Sequence, residues 1–184
     1  MTADHREVPG WTGRYFEDFA VGDIYVHPMG RTLTAVDSRW FTLITQNVAK
    51  THLDVEFAKQ TEYAKPLVNS TFILALVTGQ STIDLSFNVY ANLGWDEVRM
   101  PAPVFEDDTI YSRSIVVGLR ESKSKPFVGI VTVATEGYNQ DGEIVITYRR
   151  TFMVYRRGEG PTLEASRPDV ASLIARAEEY RAAQ

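Results

Sequence analysis

Hydrophobic positions follow helical spacing in much of the first half of the chain and form short strand-like runs in the second. Ile24, Tyr25 and Val26 come after the turn signal Gly22-Asp23 and predict a first short strand. Thr34 is placed to cap a helix carrying Trp40, Phe41, Leu43 and Ile44 at helical spacing, which should stop near Gln46 and Asn47. Residues 48–69 mix polar and apolar types around Pro66, which suits a loop with a short helix, and this is where chemistry is expected. Within residues 70–86 the run 71–77 is apolar on every side, so a helix there should be largely buried.

The remainder reads as strands: residues 98–105, where Pro101 and Pro103 suit an edge or irregular strand, then 109–119, 127–138 and 143–156. Asn139-Gln140-Asp141-Gly142 predicts a hairpin turn, and residues 122–126 separate the two strands before it. After Gly158-Glu159-Gly160-Pro161, residues 168–183 predict an exposed terminal helix with Val170, Leu173, Ile174 and Ala177 on one face. A curved antiparallel sheet preceded by one apolar helix is stable if the sheet wraps the helix, because each then buries the other's hydrophobic face. The expected class is therefore α+β, with an N-terminal extension (1–13), one domain (14–157), and a linker with a C-terminal helix (158–184). Such a sheet leaves an edge that a second copy can pair, which predicts a homodimer or a dimer-based oligomer.

Length and charge narrow the function. At 184 residues and 44% hydrophobic content the chain supports one well-packed core. A net charge of -5 argues against charge-driven binding to nucleic acid or anionic membranes. Without cysteine there is no disulfide framework, thiolate metal site or cysteine nucleophile. The first ten residues lack the apolar segment of a secretion signal, and the longest apolar run falls far short of the roughly 20 residues that span a bilayer, so a soluble cytoplasmic protein is expected. There is no phosphate-binding glycine loop and no His-Glu-x-x-His. His5, His27 and His52 are widely spaced, and neither Ser70 nor Ser81 has a nucleophile-elbow context.

The informative stretch is Gln46-Asn47-Val48-Ala49-Lys50-Thr51-His52-Leu53-Asp54, followed by Lys65-Pro66-Leu67-Val68-Asn69-Ser70. It resembles the signature of the MaoC-like, (R)-specific enoyl-CoA hydratases, Gly-Asp-x-Asn-Pro-apolar-His-x-Asp before a central helix. Aligned on His52, the family's catalytic Asp falls at Asn47, its Gly at Gln46 and its Asn-Pro pair at Ala49-Lys50. Further pieces, Asn92-Leu93-Gly94, Pro103-Val104-Phe105 and Arg120-Glu121-Ser122-Lys123-Ser124-Lys125-Pro126, are similar to the mesaconyl-CoA and itaconyl-CoA hydratase-like branch, in which Asn at the first dyad position is expected. The resemblance covers residues 14–157. It implies a hot-dog fold and a hydro-lyase that adds water reversibly to a short, branched or dicarboxylic enoyl-CoA thioester, with coenzyme A as part of the substrate and no other cofactor or metal.

Such hydration needs a base for water, a proton for the alpha carbon, and donors for the charge on the thioester oxygen. On the resemblance, His52 moves the proton. Asn47 holds water or orients the imidazole, unless it only ends a helix. Ser70 offers its backbone N–H to the oxyanion at a helix N-terminus, while Asn69 or Ser70 caps that helix. Asp54 either pairs with His52 or caps the following segment, and capping is the role expected. Arg120, Lys123 and Lys125 would meet the coenzyme A phosphates, or else form a solvated loop. A second substrate carboxylate would need a further cation, for which Arg99 and Lys50 are candidates. Two rival readings are a hot-dog thioesterase and a non-catalytic acyl-CoA-binding or partner subunit.

Overall fold

A computed structural model describes residues 5–162 and 166–183. The chain divides into two compact units, Gly13–Gly160 and the terminal segments 1–12 with 161–184. In the second of these, a helix runs over Val170–Ala182. It begins two residues after Pro168 because Asp169 is its cap, the side chain accepting the N–H of Ala171.

In Gly13–Gly160, chain order gives β1 (Ile24–Val26), β2 (Arg31–Thr32), α1 (Ala35–Ile44), α2 (Lys50–Leu53), α3 (Val55–Ala58), α4 (Ser70–Gln80), a π-helical turn (Thr82–Ser86), β3 (Val89–Arg99), β4 (Thr109–Glu121), β5 (Val128–Tyr138) and β6 (Ile144–Tyr155). The sheet is antiparallel in the order β1-β4-β5-β6-β3, with β2 also on β4. The β5–β6 hairpin closes where expected. The Asn139 side chain accepts the N–H groups of Asp141 and Glu143, and Gly142 supplies a positive φ of 79°.

α4 lies against one face of this sheet, as the sequence led us to expect. Ile73 and Val77 pack with Leu33, Val68, Val104, Ile110, Val145, Ile146 and Tyr148. The contact is tight at Gly137, where a Cβ would stand 2.8 Å from Val77 Cγ2, so glycine is what lets helix and strand approach. Beyond it, Leu85 of the π-helical turn joins Phe19, Val116, Val131, Val133, Phe152 and Val154 in a second apolar cluster.

Three expectations need correction. The strand read at 98–105 lies earlier, at Val89–Arg99, and Pro101 and Pro103 follow its end. β3 is one of the sheet's edge strands and carries three register shifts, which break the alternation that would have marked it. The helix α4 is less buried than its composition suggests: Thr71, Ala75 and Gly79 form an exposed stripe. And α1 is turned round. Ser38 and Thr42 are buried, while Val36, Trp40, Leu43 and Ile44 are 62–70% exposed. The polar pair faces inward because it holds Asn69: Ser38 Oγ accepts the Asn69 N–H at 3.2 Å, and Asn69 Nδ2 donates to Thr42 Oγ1 at 3.1 Å.

Candidate active site

The end of α1 sets the path into the site. Gln46 takes a positive φ of 57°, the Asn47 N–H donates to Thr42 O, and the Asn47 side-chain oxygen accepts the Ala49 N–H at 2.9 Å. That turn starts α2, which carries His52. Asp54 ends α2 and caps α3, accepting the Phe57 N–H at 3.0 Å.

Leu67 and Val68 tie α2 to the segment after β3: the Leu67 N–H donates to Thr51 O, and the Val68 N–H to Val104 O. Leu67 O lies 2.9 Å from His52 Nδ1. A carbonyl oxygen can only accept, so Nδ1 carries the hydrogen and the neutral ring keeps its lone pair on Nε2. Nε2 has no protein partner among the described residues. Two residues after Leu67, Asn69 caps α4 by accepting the Thr71 N–H and hydroxyl. The N–H of Ser70, the first helical residue, has no acceptor among the described residues.

His52 lines two cavities. The larger, about 220 Å³, is bounded by Tyr63, Leu67, Val68, Ser70, Ile73, residues 100–104 and Val145. It is mostly apolar, with His52 and Ser70 among its few polar walls. The smaller, about 80 Å³, is bounded by Thr34, Ala35, Ser38, Arg39, Lys65, residues 66–68 and Glu106. Together these can hold a small acyl group against an imidazole nitrogen and a helix N-terminus.

The structure thus brings His52 and Ser70 to one cavity and sets Asn47 in the turn leading to α2, outside both cavity linings. Arg120, Lys123 and Lys125 lie at the β4–β5 connection. Ile110, which packs with Val68, Val104 and Ile73 beside the larger cavity, is at the other end of β4. Ten residues of strand separate Ile110 from Arg120, about 33 Å. Lys125 rests its ammonium 5.4 Å from the Tyr90 ring. Arg99 donates to the Val98 carbonyl and Lys50 lies over Phe57; neither lines a cavity at His52.

Sequence reasoning missed Arg39, Lys65 and Tyr63 as cavity residues: Lys65 stands in the stretch that carries the resemblance but is assigned no role by it, and nothing local marks Arg39 or Tyr63. It also missed the buried His27. His27 Nδ1 donates to Asp84 Oδ2 at 3.0 Å and Nε2 accepts from the Ser114 hydroxyl at 3.0 Å. Burial holds its pKa below the usual histidine range, against the opposing pull of Asp84. Asp84 is bound in turn by Arg14. Ser114 is only 2% exposed and His27 only 3%, so this Asp-His-Ser chain is a buried structural clasp. Among the described residues no group of three His, Asp or Glu side chains could hold a metal, and no helix is long and apolar enough to cross a membrane.

The family model described as mesaconyl-CoA hydratase matches residues 2–172. The mesaconyl-CoA hydratase of Cereibacter sphaeroides is 35% identical over 165 residues, 89% of this chain and 48% of the relative. A MaoC domain protein dehydratase from Chloroflexus aurantiacus superposes with a TM-score of 0.78 at 32% identity, over 89% of this chain and 46% of that one. A Mycobacterium tuberculosis protein described as having a double hot-dog fold superposes with a TM-score of 0.73 at 24% identity, over 86% of this chain and 49% of that one. The chain spans about half the length of these relatives. With matches extending over most of its residues in both sequence and structure, the chain belongs to the mesaconyl-CoA hydratase family and has the MaoC-like hot-dog fold.

Proposed function

We propose that the protein is a hydro-lyase that adds water reversibly across the double bond of a short, branched or dicarboxylic enoyl-CoA thioester. The observation that carries this reading is the fixed tautomer of His52, whose basic Nε2 is left unpartnered on a side chain lining the same cavity as the start of α4. Nε2 takes a proton from water as the oxygen bonds to the beta carbon. The charge that moves to the thioester oxygen is met by the Ser70 N–H, where the α4 dipole adds to the stabilisation. The proton then passes from Nε2 to the alpha carbon, restoring the thioester. Asn47 acts on this step through the turn that starts α2 and so positions the imidazole.

The working unit in this reading is a homodimer. Its support is the largely apolar α4, which has the sheet on one side and the exposed stripe Thr71, Ala75 and Gly79 on the other, beside Trp95 on the edge strand β3, which among the described residues pairs only with β6. A second copy would cover both.

The reaction is tested by mixing the purified protein with a panel of enoyl-CoA esters. Loss of the enoyl absorbance without release of thiol is the expected result. Release of thiol would instead identify a thioesterase, and no change in either would leave a binding subunit. The chain has no cysteine of its own, so a thiol reagent reports coenzyme A alone.

A further inference from the structure

We infer that Arg39 and Lys65, in the smaller cavity beside His52, hold the free carboxylate of a dicarboxylic monothioester and thereby set a preference for that substrate class over neutral enoyl thioesters. The inference rests on the hydratase reading and deepens it. Several arginines of the same unit are already matched to carboxylates, among them Arg31 with Asp37, Arg113 with Glu136 and Arg149 with Glu97. Arg39 and Lys65 take part in no ion pair among the described residues. Lys65 is held instead by stacking, its ammonium 3.9 Å from the centroid of the Phe105 ring. The third charged side chain in this lining besides the two cations is Glu106. Two cations against one carboxylate leave one positive charge beside the imidazole, enough for one anion. The N-terminal end of α1, where the cap Thr34 and the helical residues Ala35 and Ser38 form part of the same wall, adds a favourable dipole.

Substrate chemistry fits this division. When the beta carbon of an enoyl thioester carries a carboxylate, that group is one bond from the atom that water attacks, so it must lie close to the same imidazole. The larger cavity, walled by Leu67, Val68, Ile73, Ala102 and Pro103, suits a methyl branch but would strip a carboxylate of its hydration without replacing it. The smaller one offers a planar guanidinium and an ammonium.

The test is calorimetric binding of two saturated analogues that cannot be hydrated, methylsuccinyl-CoA and 2-methylbutyryl-CoA, which differ by carboxylate against methyl. Wild-type protein should bind the first about tenfold or more tightly than the second, the scale of hydrogen bonds to a charged group. In Arg39→Met with Lys65→Met that ratio should collapse towards one, and Arg39→Lys alone should keep part of it. An unchanged ratio in the folded double variant overturns the inference, as does an equal loss for both analogues, which would put the cations on the coenzyme A phosphates. Turnover of mesaconyl-CoA by the wild type is read separately. Its absence with an intact binding ratio defeats the hydratase reading alone, whereas turnover with an unaltered ratio in the variant defeats the carboxylate site alone.

Discussion

His52 owes its protonation pattern to a single contact, the Leu67 carbonyl, and removal of the ring removes the only base at the larger cavity among its lining residues. His52→Ala should therefore lower turnover by about a hundredfold or more, the usual scale for a general acid or base. Asn47→Ala should cost less, because the proton carrier stays and only its turn loses an acceptor. Steady-state kinetics of both variants on mesaconyl-CoA, with thermal melts to confirm folding, would decide this, and near-normal turnover in His52→Ala would end the mechanism. The Ser70 N–H can be tested as cleanly. Proline is tolerated at the first position of a helix, and Asn69 already has the extended backbone (φ -61°, ψ 122°) that precedes proline. Ser70→Pro should thus fold normally and lose about 10²–10³-fold in turnover, as loss of one oxyanion donor does elsewhere. A folded Ser70→Pro with full activity would remove that N–H from the mechanism.

At the level of elements, His27 clasps the π-helical turn after α4, through Asp84, to β4, through Ser114. Its folded pKa is below the unfolded value near 6.5. Above that pH the ring is neutral in both states and the clasp is intact. As pH falls through 6.5 the unfolded chain takes up a proton that the folded one resists, so stability should decline on acidification. Melting curves between pH 8 and pH 5 should show this slope, and His27→Asn should be less stable at pH 8 but shallower in slope; an equal slope in both proteins would exclude His27 as its source. The sequence reveals elements that are specified locally and hides those specified across the chain. The β5–β6 hairpin was legible because Asn139 and Gly142 make the turn themselves, and the start of α1 because Thr34 and Asp37 cap each other. The orientation of α1 was not, since Ser38 and Thr42 face inward only because Asn69, about thirty residues away, needs them. The same division runs through the site. His52, Lys65 and Ser70 stand in one recognisable stretch, whereas Arg39 joins them only because the segment around Pro66 crosses the first turns of α1.

In the whole molecule, the basic turn and the His52 cavity lie at opposite ends of the sheet, too far apart for one chain to grip both ends of a coenzyme A ester. In a homodimer joined antiparallel at β3, one sheet would be reversed relative to the other, so that the basic turn of one copy would lie at the same end of the joined sheet as the His52 cavity of the other. Light scattering at micromolar concentration should accordingly report a dimer or larger. Lys123→Ala with Lys125→Ala should raise KM for a coenzyme A ester more than it lowers kcat, and less so at high salt. An unchanged KM at low salt would make the turn a solvated loop. The place of His52 between its two cavities also bears on stereochemistry. A single imidazole on one side of a flat enoyl group gives up its proton on the side from which it took one, so hydroxyl and hydrogen add to the same face. Hydration in deuterium oxide of crotonyl-CoA, whose alpha carbon bears no branch, should yield one syn diastereomer, identifiable by the coupling between its alpha and beta protons, and an anti product would require a second proton donor across the cleft.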